Sequence, residues 1–274
     1  MEDDTPPFTP QQLGGMILDY YQFLATLYFD PDELRVPPKA GWPQLTNEYC
    51  ANFKTPLALE TLRHLPFWQS ADNDLEYMQI AEHNSRFINY LAVDEFAEFD
   101  TELYPVYEGY RQGRFHHTVE PDRSDCILLA KGHETGGVNL VLDTRRGIII
   151  EDVIGINLNH RDIEDYLGGL CDKFRSLQFI PSSKGRVTFD ANGLADTAKR
   201  ITEQDLVDQY IEDKENIVDW GTDLELQLVQ QVYREYRWPH GFQKEPAFAV
   251  IDAAIARLQR ECGRGEWPLV FWQW

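Results

Sequence analysis

His133 and Glu134, followed by Thr135-Gly136-Gly137, open like the H-E-x-x-H helix of a zinc peptidase. In that motif two histidines at i and i+4 hold the metal and the glutamate acts as base. Gly137 stands where the second histidine is required, and two adjacent glycines disfavour a helix, so the segment reads as a hairpin loop. His116-His117 offers two imidazoles, but adjacent side chains on a strand point to opposite faces and do not easily share one ion. Asp143 and Arg145 follow an apolar run, where they read as a strand-end turn with an ion pair before they read as a general base. Glycine-rich phosphate loops, G-x-S-x-G elbows and Cys/His nucleophile signatures are absent from the sequence. Paired carboxylates are too common in an acidic chain to imply glycosidase chemistry. One alternative site remains: a small-molecule pocket or hydrolase centre around the 131–147 hairpins, lined by His133, Glu134, Asp143 and Arg145. The main reading assigns no catalytic residue, no cofactor and no metal.

The acids carry more information than any of these. The 274 residues hold 46 Asp and Glu against 25 Lys and Arg, for a net charge of −21. Such a surface repels nucleic-acid phosphates and anionic lipid, so a nucleic-acid or membrane binder is disfavoured, and a basic protein partner is compatible. Residues 72–108 contribute −9 and residues 203–225 contribute −8. Within the first run, Asp94, Glu95, Phe96, Glu98, Phe99, Asp100 and Glu102 alternate acid with aromatic. A solvated face with its rings docked inward is one reading. The other is a protein-binding patch in which Phe96 and Phe99 anchor and the charge steers.

Cys50, Cys126, Cys171 and Cys262 show no C-x-x-C pair, which argues against a zinc ribbon or a small disulfide scaffold. Each sits among apolar neighbours, where free cysteine behaves as a small hydrophobe. Met1-Glu2-Asp3-Asp4 has the wrong charge for a signal or transit peptide, and no run approaches the ~20 apolar residues of a membrane span. A cytoplasmic location is expected.

These groups must be positioned by regular elements. Leu13, Ile17, Tyr20, Leu24 and Leu27 recur at helical steps over 10–29. Thr46 is placed to cap a short helix through 53, and Thr55-Pro56 to start another ending near His64. Phe87 to Leu91 suggests a strand. Residues 125–131, 138–144 and 147–153 are short Ile/Leu/Val-rich runs separated by turn residues, as in consecutive antiparallel hairpins. Residues 161–179 form the strongest helix, with Ile163, Tyr166, Leu167, Leu170, Cys171, Phe174 and Leu177 on one face, packed on those strands; 184–190 adds a strand. From 200 to 262 the chain reads as helical, with capping-box spacing at Thr202/Asp205 and Thr222/Glu225. The apolar tail 267–274 is expected to pack or pair. Strands flanked by helices without alternation predict an α+β fold: an antiparallel sheet of sequential hairpins packed by helices, with a C-terminal helical extension. The expected organisation is a lead-in over 1–9, an α+β domain over 10–200, and a helical segment over 201–274 packed on the same unit.

The order of residues 126–132, Gly136-Gly137, 140–144 ending in Asp143, then Gly147 and the helix holding Asp162 to Leu167, resembles the SUKH superfamily. That superfamily includes Smi/Knr-type fungal cell-wall-synthesis regulators and bacterial immunity proteins. Gly41-Trp42-Pro43, Arg63-His64-Leu65-Pro66 and Tyr236-Arg237-Trp238-Pro239 are similar to elements of uncharacterised filamentous-fungal members. The resemblance implies an α+β module, covering about 45–180, that contacts other proteins and has no catalytic residues to carry over. A non-catalytic, regulatory protein-interaction module is therefore expected.

Overall fold

The computed structural model describes residues 5–69, 85–92, 121–132, 137–153, 157–182, 188–194, 200–212 and 222–263. Six helices and nine strands occur among them, and the fold is α+β as expected. The chain divides into two compact units, 1–24 with 30–170 and 25–29 with 171–274. Residues 171–200, which the sequence groups with the chain before them, thus cluster with the C-terminal helices. The physical reason is burial: Leu177, Ile180, Phe189 and Ala191 share one apolar core with Leu206, Val229 and Ile251.

The first unit is built on a five-stranded antiparallel sheet in the order β3 (Ser85–Phe87), β4 (Cys126–Gly132), β5 (Val138–Asp143), β6 (Ile148–Val153) and β7 (Asn157–Asp162). β4 and β5 are buried at nearly every position, which explains continuous apolar runs where a half-exposed strand would alternate. The register of β4 against β5 shifts between Leu128 and Ala130, a bulge in the ladder. β7 has no apolar signature; it is a polar strand defined by six backbone pairings with β6.

Helix α1 (Pro10–Leu27) brings Tyr21 edge-on to Phe87 of β3, with ring centroids 4.9 Å apart. Trp68 of the short strand β2 (Phe67–Trp68), paired with β1 (Leu34–Arg35), lies 6.1 Å from the same ring. Helix α2 (Pro56–His64) starts as the sequence implies, with Thr55 Oγ1 accepting from Ala58 N and proline in the first turn. The helix expected before it does not form. Thr46 Oγ1 accepts from Tyr49 N, but Ala51 and Asn52 take left-handed backbone (φ 50° and 57°), which ends the turn there. The strand expected over Phe87 to Leu91 lies earlier, at Ser85–Phe87, and overlaps the expected one only at Phe87.

Helix α3 (Ile163–Arg175) is capped by Asp162, whose Oδ1 accepts from Glu164 N. Ile163, Tyr166, Leu167 and Leu170 are buried in the first unit. Phe174 belongs to the second unit, where it meets Tyr28 and Phe179 at 5.8 and 5.5 Å. The helix also stops earlier than its periodicity suggests, because Leu177 turns left-handed (φ 61°) and Phe179–Pro181 becomes strand β8, paired with β9 (Thr188–Asp190).

Three helices complete the second unit: α4 (Glu203–Glu212), α5 (Asp223–Glu235) and α6 (Lys244–Cys262). Both capping boxes form. Thr202 N donates to Asp205 Oδ2 at 2.8 Å, and Thr222 N to Glu225 Oε2 at 2.9 Å. At the centre Tyr233 is fully buried and donates to the carbonyl of Pro181, while Trp238 Nε1 donates to Phe174 O at 2.8 Å. Gln231 spans the start of α4, accepting from Ile201 N and donating to Ile201 O.

Candidate functional site

The β5–β6 turn holds the two described members of the alternative site. Asp143 is 2% exposed at the end of β5, opposite Cys126 of β4. Its Oδ1 accepts from Arg145 N and Arg146 N, each at 3.0 Å, and its Oδ2 lies 3.5 Å from the Arg146 guanidinium. The expected carboxylate–arginine contact is thus present in part: Arg145 supplies a backbone N–H, and Arg146 supplies the charge. Gly147 N donates to Asp143 O at 2.9 Å and takes φ 67°, as this turn requires. A Cβ there would come within 2.6 Å of the Phe8 ring. Gly147 O in turn accepts from Ile163 N, which ties the turn to the start of α3.

Burial raises the Asp143 carboxyl above the usual carboxylate range, reinforced by the nearby Asp125 charge. The Arg145 and Arg146 N–H groups and the Arg146 guanidinium oppose that shift. Both oxygens of this carboxylate are thus engaged within the turn that it closes. His133 and Glu134 lie outside the described residues, as do His116 and His117. The acidic–aromatic set Asp94, Glu95, Phe96, Glu98, Phe99, Asp100 and Glu102 also lies outside them, together with the 267–274 tail.

Two polar clusters escaped the sequence reading. Lys54, 7% exposed, donates through Nζ to Arg123 O at 2.9 Å and Cys126 O at 2.6 Å, and lies 5.1 Å from the Phe53 ring. Beside it Thr55 Oγ1 donates to Asp125 Oδ1 at 2.6 Å, locking the start of α2 to the start of β4. Asn139 and Asp152 face each other across β5 and β6, with Nδ2 to Oδ2 at 3.4 Å, and Asn139 Oδ1 accepts from Gly132 N at 2.8 Å. The legible signal was a polar residue inside each of two apolar runs; their register could be read only from the folded sheet. Among the described residues no three His, Cys, Asp or Glu side chains gather in a way that could hold a metal ion.

The second acidic run is described in part. On α4 the exposed positions Gln204, Asp208, Ile211 and Glu212 form one stripe, while Leu206, Val207 and Tyr210 face the core. Ile211 is 68% exposed, between Asp208 and Glu212. All four cysteines are free; Cys50 and Cys126 are buried, and Cys171 and Cys262 half-buried. No described helix is long and apolar enough to cross a membrane.

Comparison of the chain with protein-family models, with curated proteins and with solved structures finds no match.

Proposed function

We propose that the chain is a non-catalytic, cytoplasmic protein-interaction module of the SUKH type with a regulatory role, whose partner is a basic protein. The order of β4, then β5 ending in Asp143, then left-handed Gly147, β6, β7 and α3 is compatible with that type. The observation that carries the reading is Ile211. Ile211 is 68% exposed and is flanked on α4 by Asp208 and Glu212, on a chain of charge −21. An apolar anchor inside a field of one sign fits a socket edged by lysine and arginine: the anchor supplies affinity and the field supplies steering. The acidic–aromatic run 94–102 repeats the same chemistry in sequence.

The test compares retained partners, from cells that make the protein, for the parent, for Ile211→Ser and for the triple variant Asp94→Lys, Glu95→Lys, Glu98→Lys. Partners bound by the parent, lost from a variant of unchanged thermal midpoint, and released by salt support the reading. Identical partner sets for all three proteins overturn it.

A further inference from the structure

The turn between α5 and α6 gathers aromatic and basic side chains on an acidic chain. Tyr236-Arg237-Trp238-Pro239-His240-Gly241 is closed by a hydrogen bond from Gln243 N to Tyr236 O at 3.0 Å. Tyr236, Trp238, Phe242 and Phe248 are each half-buried against the core of the second unit and half-open. Trp238 stacks on Tyr233 at 5.2 Å and meets Phe242 edge-on at 4.9 Å. Arg237 and His240 are exposed around these rings, and Lys244 is half-exposed. None of the three side chains makes a hydrogen bond or ion pair among the described residues. In a chain with 46 acids, Arg237 and His240 of the turn and Lys244 at the start of α6 stand without a carboxylate partner among the described residues, although Glu235, which pairs with Arg200, and Glu245 flank them.

Arg237 also occupies a costly position. Trp238 N donates to Tyr233 O and Arg237 N to Arg234 O, which is the Schellman pattern that ends a helix, and it puts Arg237 at φ 70°. Glycine fills that position without strain, whereas arginine does not. A strained backbone under a side chain with no hydrogen bond or ion pair among the described residues suggests a contact outside the chain.

We propose that the α5–α6 turn docks an acidic peptide segment of a partner protein, with Arg237 and Lys244 pairing its carboxylates and the open faces of Trp238 and Phe242 receiving an apolar side chain. Tryptophan, tyrosine and arginine are the residues over-represented among binding hot spots. The charge of this turn is complementary to an acidic segment and opposes the basic partner proposed for α4. The proposal rests on the interaction-module reading only in expecting a protein partner, and it uses a different surface.

The test is selection of a random-peptide library on the full chain, followed by anisotropy titration of the enriched peptides. The expected consensus has Asp or Glu flanking an aromatic or aliphatic residue. Affinity falls about tenfold with Arg237→Gly and with Lys244→Glu, and falls as salt rises. Arg237→Gly keeps or raises the thermal midpoint, so lost binding does not report lost folding. The double variant Asp208→Lys, Glu212→Lys leaves these peptides bound, which separates this surface from α4. Enriched peptides without excess acid, or bound equally by both single variants, overturn the proposal. So does a dimer of the chain that Arg237→Gly dissolves, because the occupant is then a second copy.

Discussion

Tyr210 of α4 donates its hydroxyl to the carboxylate of Glu225, a residue 2% exposed at the start of α5. The other oxygen of Glu225 accepts from Thr222 N, so one buried carboxylate closes a capping box and joins two helices. Removing the hydroxyl takes one donor from that buried carboxyl group. Tyr210→Phe should therefore cost about 1.5–3 kcal/mol, at the upper end for a bond to a charged group. With Glu225→Gln as background the same deletion should cost only about 1 kcal/mol. Urea midpoints of the four proteins measure the difference, and equal costs in both backgrounds would show that the pair is not coupled.

Gly14 and Gly15 are neighbours on α1 with opposite tolerances. A Cβ at Gly14 would overlap the carbonyl oxygen of His64, a backbone atom that cannot swing away, whereas nothing lies within 4 Å of one at Gly15. Gly14→Ala should destabilise by about 1–3 kcal/mol through overpacking. Gly15→Ala should stabilise by about 0.5–1 kcal/mol, since alanine orders the helix at lower entropic cost. Thermal midpoints shifted in the same direction would contradict the close approach of α1 to the end of α2.

Asp143 sets a pH dependence whose sign follows from its burial. The folded chain holds this proton more tightly than an unfolded aspartate, which titrates at roughly 3.9. Its charged form is thus a penalty at neutral pH. The penalty fades as pH falls through the raised value and is gone below the unfolded one. Asp143→Asn keeps an oxygen for Arg145 N and Arg146 N but carries no charge, so its stability relative to the parent should decline as the buffer is taken from neutral into acid. Asp143→Ala removes the acceptor and should cost about 1–3 kcal/mol throughout. Denaturant titrations across that range decide it; a gap in favour of Asn that widens toward acid would refute the raised value.

Cys50 is buried, and burial pushes its thiol up to about 11, with the Lys54 ammonium opposing the shift. At pH 8 only about one molecule in a thousand carries the reactive thiolate. Alkylation followed by mass spectrometry should find Cys171 and Cys262 modified before Cys50, which should react only as fast as the chain opens. Cys50 modified first under native conditions would contradict its placement.

Much of this architecture was legible where local chemistry decides it. Thr55-Pro56 starts α2, Thr202/Asp205 and Thr222/Glu225 cap α4 and α5, and three apolar runs become β4, β5 and β6. The misses are places where tertiary pairing overrides local pattern. β7 is a polar stretch made a strand by its ladder with β6. Leu177 continues a helical period, yet its buried side chain and a carbonyl held by Gln230 Nε2 at 2.9 Å fix it in a left-handed turn. At the candidate site, Asp143 was visible as a turn former, but the choice of Arg146 over Arg145 depends on how the turn winds.

The order of the sheet has a consequence for assembly in time. β4 to β7 are sequence neighbours joined by short connections, so each pairing closes a small loop. β3 must wait for β4 across residues 88–125, and closing that loop costs about 2 kcal/mol more than a five-residue turn. On a ribosome adding roughly 5–20 residues per second, β3 is synthesised a few seconds before its partner strand is complete. Tyr21, Trp68 and Phe87 all precede β4 in the chain. The partners of this aromatic cluster are thus all made before β4, so it is available to form before the hairpins are laid down one at a time.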